Sequence, residues 1–567
     1  MKRFKPLYAA GAGLLALSLA ACSSGGGTST AASTGSASTA STSTSGAGGD
    51  IDQLTVAIGM EFDTLDPAIS TTIYNGYVLD AIYESYFNLD ATGNIENKFC
   101  DSYEVSEDGL TWTLKIKDGL TFNDGTPITA EHFEFAFLRA ISYGADNAFT
   151  VSNAVKYIEG AQDYQENAMK VGSSFDCLTE DHSSVGYTAL DDSTIEVKLN
   201  FPVSWLGNTL SSNMFAPLPL DTPQHDSTWS ITPGYLTNGA YTLEDFNLND
   251  KAVLKKSDSY VDADKVTVHN ITFQVMSSQE SQAAAFKTGD VDIALSVSTD
   301  TAMSYQGTEN LFVIEKTSTY ALVVNSQNPP EGGEAMADVR VRKALYQAID
   351  KESIVNLIGG EEFYPILNGW IPFGFYGVDD DFRTERDAEG YELTYDPEAA
   401  KALLAEAGYD ESNPLHITYK YSTNSFHADV ATALQAMWAE IGVDADFDAV
   451  EGGVYYDQLD TGDVQIGRYG LQSTVLFSMM DNWNGMNQVT RLAGDDKFDE
   501  MMAEAQLIVD SKEQNQALHE VEDYLVQEQC YIMPLFQFGE PTLVRSGITG
   551  IEVHGTSPYF MEMTTTE

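Results

Sequence analysis

Apolar and polar positions alternate through the first half of the chain. Leu54 to Ile58, Leu110 to Ile116 and Thr194 to Leu199 each set apolar side chains on one face and polar ones on the other, the period of a half-buried strand. In the second half the period lengthens to that of a helix. Asp338 is placed to cap a helix whose Val341, Leu345, Ala348 and Ile349 share a face, running toward Gly359-Gly360. Asp396-Pro397 starts another, with Ala400, Leu403 and Leu404 turned inward and a stop at Gly408, and a third runs from about His427 to Ile441. Asp-Gly pairs at 108–109, 118–119 and 124–125 predict turns, the first of them a hairpin, and Thr129 predicts a helix cap. Strands mixed with helices in this way predict an α/β fold in more than one domain.

Length and charge narrow the picture. A chain of 567 residues should hold roughly three or four folding units, and 56 aromatic Phe and Tyr residues (27 and 29) supply ample core. The formal charge of −56 repels phosphate backbones, which excludes nucleic acid as a partner. Four cysteines and eight scattered histidines, with no CxxC, HxxxH or HExxH, predict no metal site and no cofactor. Lys287-Thr288-Gly289 matches one element of the penicillin-binding serine enzymes, but no lysine has Ser three positions before it. GxSxG, the GxxxxGK[ST] phosphate loop and a GxGxxG between strand and helix are likewise missing, so the chain reads as no enzyme.

Lys2, Arg3 and Lys5 followed by the apolar stretch Leu7 to Ala20 read as a secretory signal over residues 1–21, and no later apolar run is long enough to span a bilayer. Leu19-Ala20-Ala21-Cys22 resembles the lipobox of bacterial lipoproteins, which implies cleavage before Cys22 and acylation of its thiol. Residues 23–50 are Ser, Thr, Gly and Ala up to Asp50, too polar and too small to fold. Such a leash has a mean reach of about 30 Å. Cys100, Cys177 and Cys530 then remain, and they are expected as three unpaired thiols.

The string from Ser106 to Glu131, SEDGLTWTLKIKDGLTFNDGTPITAE, with Leu65-Asp66-Pro67 before it, resembles the extracytoplasmic solute-binding proteins of ABC importers that carry oligopeptides, dipeptides and, in some members, nickel, known as family 5. The likeness extends to Thr237–Leu243 (TNGAYTL), Ala284–Asp292 (AAFKTGDVD), Asp338–Asp350 (DVRVRKALYQAID) and Tyr395–Gly408 (YDPEAAKALLAEAG), covering about residues 51–540. It implies a two-lobed periplasmic-binding-protein-like α/β fold with an additional domain, mixed sheets flanked by helices and a hinged cleft. On that pattern residues 51–74, 223–318 and 541–567 form the core of lobe 1, residues 75–222 its extra domain and residues 319–540 lobe 2.

The resemblance also implies a site. In peptide-binding members the strand before Leu-Asp-Pro lends cleft-lining backbone and an acidic side chain, matched by Glu61 with Phe62 and Asp63. In the segment Gly467 to Trp483 of this chain, the family's pocket Arg is matched by Arg468, followed by Tyr469, and the distal Asp and Trp by Asp481 and Trp483. Leu471 stands where an aromatic is expected, and Thr474 stands near the Asp that accepts the ligand's α-ammonium in relatives. An ammonium buried without a carboxylate loses several kcal/mol, so either Asp481 or Glu61 takes the amine or the ligand has none. Trp370 is a further candidate for the wall. The expected function is a monomeric receptor, lipid-anchored at the outer face of the cytoplasmic membrane, on the periplasmic side in a Gram-negative cell. It passes a peptide or peptide-like solute to an ABC permease and its ATPase. A non-peptide ligand such as a nickel complex, haem or oligosaccharide, and an extracellular hydrolase, are the alternatives.

Overall fold

A computed structural model describes residues 48–566 apart from 71, 91–92, 145–153, 392, 424, 489 and 555–556. Cys22, the signal and most of the leash lie outside the described residues. Ten strands form the main sheet: β1 Leu54–Ile58, β2 Tyr241–Asn247, β3 Lys251–Lys256, β4 Asn270–Val275, β5 Ile293–Ala294, β6 Leu311–Val324, β7 Leu415–Ser422, β8 Val443–Val450, β9 Ile466–Gln472 and β10 Ile532–Val544. Their order across the sheet is β8-β7-β9-β6-β10-β5-β1-β4-β3-β2. β1 is parallel to β4 and β5, and β7 is parallel to β8 and β9. These two groups sit on opposite sides of the long antiparallel pair β6 and β10.

That long pair joins the halves. Leu311–Glu315 of β6 pairs with Leu543–Gly539 of β10 beside β5, and Thr319–Val323 pairs with Gln537–Ile532 beside β9. Between Glu315 and Thr319 the register shifts, three residues of β6 facing the single Phe538 of β10. Extra residues of this kind disrupt the ladder and bend the strand, so the two halves of the pair meet at an irregular segment here. The boundaries expected at 318/319 and 540/541 fall inside these strands.

The second sheet is small and antiparallel, in the order Cys100–Val105, Thr111–Ile116, Thr194–Lys198, Tyr187–Asp191. Its first hairpin turns at Asp108-Gly109, where Gly109 has φ of +69° that only glycine adopts freely. Helix Ala130–Ser142 follows, with the Thr129 N–H donating to His132 Nδ1 at 3.1 Å. It carries Arg139, wholly buried, whose guanidinium donates to both carboxylate oxygens of Asp66, at 2.9 and 2.5 Å. Leu65-Asp66-Pro67 is therefore a structural anchor for this helix.

Two helical readings need correction. The helix capped by Asp338 ends at Gln347, and a second runs over Lys351–Ile358 before Gly359. Asp350 causes the break: its carboxylate accepts from the Ser353 N–H at 3.0 Å and starts a new helix of its own. The first half is also less strand-dominated than its alternation suggests, containing helices Ile73–Ile82 and Ala161–Val171 besides the one at Ala130. Pro397–Glu406 and Ser425–Glu440 match their predicted extents within two residues. Cys100, Cys177 and Cys530 are free, buried thiols.

Candidate functional site

The strand directions place a cleft. β5 runs antiparallel to β10, so the chain leaving β5 and its parallel neighbour β1 heads toward the midpoint of β6 and β10. β9 runs antiparallel to β6, and its last residue Gln472 lies opposite Ser318 at that same midpoint. The carboxyl ends of β1, β5, β7 and β9 thus converge from both sides on this irregular segment. In open α/β sheets that is where ligands bind, because loops there are free to vary over a fixed scaffold. One wall comprises Gly59–Asp63 and Leu295–Ser298, the other Thr423, Phe426, His427 and Gly470–Val475, with Lys316 and Phe538–Glu540 as the floor.

On the first wall Glu61 and Asp63 are exposed, and Asp63 accepts hydrogen bonds from the Thr64 N–H at 2.8 Å and from Asn75. Phe62 is turned away, buried against Phe246 with ring centroids 5.3 Å apart, so it supports the wall without facing the cleft. Ser296, directly after β5, holds a φ of +62°, a left-handed conformation costly for any residue but glycine. At the floor Lys316 pairs with Glu540 at 2.7 Å. Burial first, and the Glu540 charge second, hold the Tyr74 phenol well above its ordinary range, so Tyr74 remains a hydrogen-bond donor.

The second wall divides the predicted residues between two faces of β9. Arg468 lies on the face of Tyr320, its guanidinium 5.7 Å from that ring. Its Nη2 and Nε lie 3.0 and 3.3 Å from His427 Nε2, and among the described residues no carboxylate pairs with it. Burial, aided by the Arg468 charge, pushes His427 down to about 3, so the imidazole is neutral and Nε2 accepts. Its Nδ1 is buried without a partner among the described residues. Tyr469 and Leu471, half-buried, occupy the opposite face, where Tyr469 packs on Trp483 at 4.7 Å and on Trp370 at 6.2 Å.

Trp483 and Trp370 are 1% and 0% exposed and belong to the packing beneath Tyr469, which corrects their expected place on the wall. Asp481 accepts from Asn484 at 3.2 Å and Asn487 at 2.7 Å, and burial raises its pKa. Held by two amides, it is poorly placed to meet a ligand amine. Thr474 is exposed at the end of β9.

One further feature is backbone. β7 pairs with β9 only at Ile466 and Gly467, so beyond Gly467 no described strand lines the edge of β9 away from β6. The Ser473 N–H donates to Thr317 O on the β6 side, while the Arg468 carbonyl accepts from Tyr455 OH on the other. Alternation then turns the main-chain groups of Gly470 and Gln472 outward. His427, Phe426, Tyr364, Phe538, Lys316 and Glu540 carry no motif signal in the sequence; strand ends mapped onto the sheet are what reveal them.

Comparison with known proteins bears on the family and the fold. Residues 94–490 match the profile of the bacterial extracellular solute-binding proteins, family 5 Middle. The oligopeptide-binding protein OppA of Bacillus subtilis is 25% identical over 524 residues, covering 89% of this chain and 91% of the relative. The periplasmic murein peptide-binding protein MppA of Escherichia coli is 25% identical over 503 residues, covering 87% and 88%. Among solved structures, the murein tripeptide-binding protein MppA in its unliganded open form superposes with a TM-score of 0.78 at 23% identity, covering 92% of this chain and 99% of that one.

Proposed function

Because the chain belongs to the bacterial extracellular solute-binding proteins of family 5, we propose that it is the peptide-binding receptor of an ABC importer, catching an extended ligand between its halves and releasing it unchanged. The observation that carries this is the open edge of β9 at the cleft. Outward N–H and C=O groups at Gly470 and Gln472 supply strand pairing to any extended peptide, whatever its sequence. Arg468 adds a cation with no acidic partner among the described residues, suited to a carboxylate, and the neutral His427 beside it adds no competing charge.

Closure follows from differential affinity: a ligand that touches both walls binds the closed form better and shifts the population toward it. The chain then acts as a monomer that presents its closed shape to a permease and ATPase. The Cys22 thioether anchor and the leash hold it at the outer face of the cytoplasmic membrane. Among the described residues no helix is long and apolar enough to cross a membrane. No catalytic step is assigned to it.

Titration calorimetry with short peptides tests this reading. Peptide acids are expected to bind with unit stoichiometry and without turnover, and Arg468→Ala or amidation of the ligand's C-terminus to weaken binding roughly ten- to hundredfold. Absence of binding by any peptide, or hydrolysis of the peptide, would refute it. A second reading, a ligand lacking a free amine, is favoured by the exposed Thr474 and by Asp481 being held by Asn484 and Asn487. N-acetylated peptides that bind as well as free ones would establish it.

A further inference from the structure

The edge of β10 away from β6 carries the two halves end to end. There the Val297 N–H donates to Pro541 O at 3.0 Å, while the Gly539 and Gln537 N–H groups donate to Phe363 O and Pro365 O, each at 2.8 Å. Residues on either side of Glu540 thus hold opposite halves, and the segments they hold meet at a seam. Helix Thr299–Met303 forms one bank of it and the turn after helix Lys351–Ile358 the other. A Cβ at Gly359 would lie 2.5 Å from Thr299 Cγ2, Thr299 Oγ1 is 3.2 Å from Tyr364 OH, and Gln306 Nε2 donates to Glu362 Oε2 at 2.7 Å.

An apolar strip flanks this seam in solvent. Met303, 47% exposed, comes one turn after Thr299, and Leu357, 59% exposed, comes two residues before Gly359. Tyr305 and Phe286, half-buried with ring centroids 5.9 Å apart, extend it on the first bank, and half-buried Ile358 extends it on the second. Asp300, three positions before Met303 on the same helix, is exposed, as are Glu361 and Glu362 after Gly359. Lys287 beside Phe286 is exposed as well, whereas the Lys351 ammonium is turned onto Tyr346 OH, Leu367 O and Asn368 Oδ1.

We infer that this strip is where the importer's permease docks, through an extracytoplasmic segment whose apolar side chains are flanked by lysine or arginine. The inference rests on the chain being an importer receptor. Contiguous apolar side chains left in water mark surfaces that association covers, and methionine is enriched in such interfaces. Acids at the margin favour a cationic partner and turn away a second copy of this chain, whose formal charge is also −56. Because the two banks belong to different halves, closure changes the spacing of Met303 and Leu357. A partner that covers both therefore responds to the closed form without touching the solute.

Uptake by the intact receptor tests this. Cells of the source organism that lack the receptor gene receive the full chain or a variant at equal surface amounts, with a radiolabelled casein digest of dipeptides to pentapeptides as the probe. Met303→Lys combined with Leu357→Lys should lower uptake at least about tenfold, while the purified variant binds the same digest with a half-saturation within about twofold of wild type. Met303→Leu combined with Leu357→Met keeps the strip apolar and should keep uptake within about twofold. Unchanged uptake by the lysine pair overturns the docking site. So does weakened binding of the digest, which would place the strip in the packing of the halves, and so does a wild-type dimer in sedimentation velocity that the lysine pair disperses. If the wild-type protein itself binds none of the digest, the receptor reading falls instead.

Discussion

Arg139 and Asp66 show how one pair of residues fixes a junction. Both side chains are fully buried, and Arg139 also donates to the Pro223 carbonyl at 2.9 Å while stacking over Trp229 and Tyr143. Removing one partner strands a buried charge, so Arg139→Leu should cost about 3–5 kcal/mol in chemical denaturation. His427 makes a prediction about pH. Its folded pKa of about 3 lies below the ordinary 6.5, so between these values the unfolded chain binds a proton that the native protein does not. Stability should fall as pH drops through that window, and His427→Asn should fall less over the same range. Ligand affinity should meanwhile stay flat from pH 8 to pH 6, because His427 is neutral throughout. An affinity that tracks a proton uptake near 6.5 would contradict this.

At the scale of elements, the segment after β9 reaches the small sheet's domain. Helix Leu476–Asp481 sets Phe477 against Trp205 with rings 4.1 Å apart and 8° from parallel, and Ser204 donates to Gln514 beyond it. This contact coexists with exposed Glu61, Asp63, Gln472 and Thr474 on the walls of the cleft. Trp205→Ala should therefore ease closure and tighten peptide binding by about three- to tenfold, read by calorimetry. Weaker binding would show instead that the clasp belongs to the closed form.

The same scale shows what a reader of the sequence sees and misses. Strands at Leu54, Thr111 and Thr194 and caps at Asp338 and Asp396 are local, set by period and side-chain hydrogen bonds, and so were legible. Asp350 carries the same cap chemistry, but the apolar stripe continues across it and hides the break. Arg468 stands in a motif that the sequence shows. Its neighbour His427, 41 positions away, was not, since their meeting depends on β7 and β9 lying side by side. The division of Arg468 from Tyr469 and Leu471 follows from strand alternation but needs the sheet to say which face is which. Trp483 matched a motif and proved to be core.

For the whole molecule, a charge of −56 repels anionic membrane surfaces. All of this depends on two halves, linked by β6 and β10, closing on an intact solute. Small-angle scattering on the leash-free body, with and without a saturating peptide acid, measures that movement directly. A compact chain of this length has a radius of gyration of about 24 Å, and the account expects a larger free value that falls by about 1 Å on saturation. An unchanged radius at peptide concentrations that fill the site would contradict it.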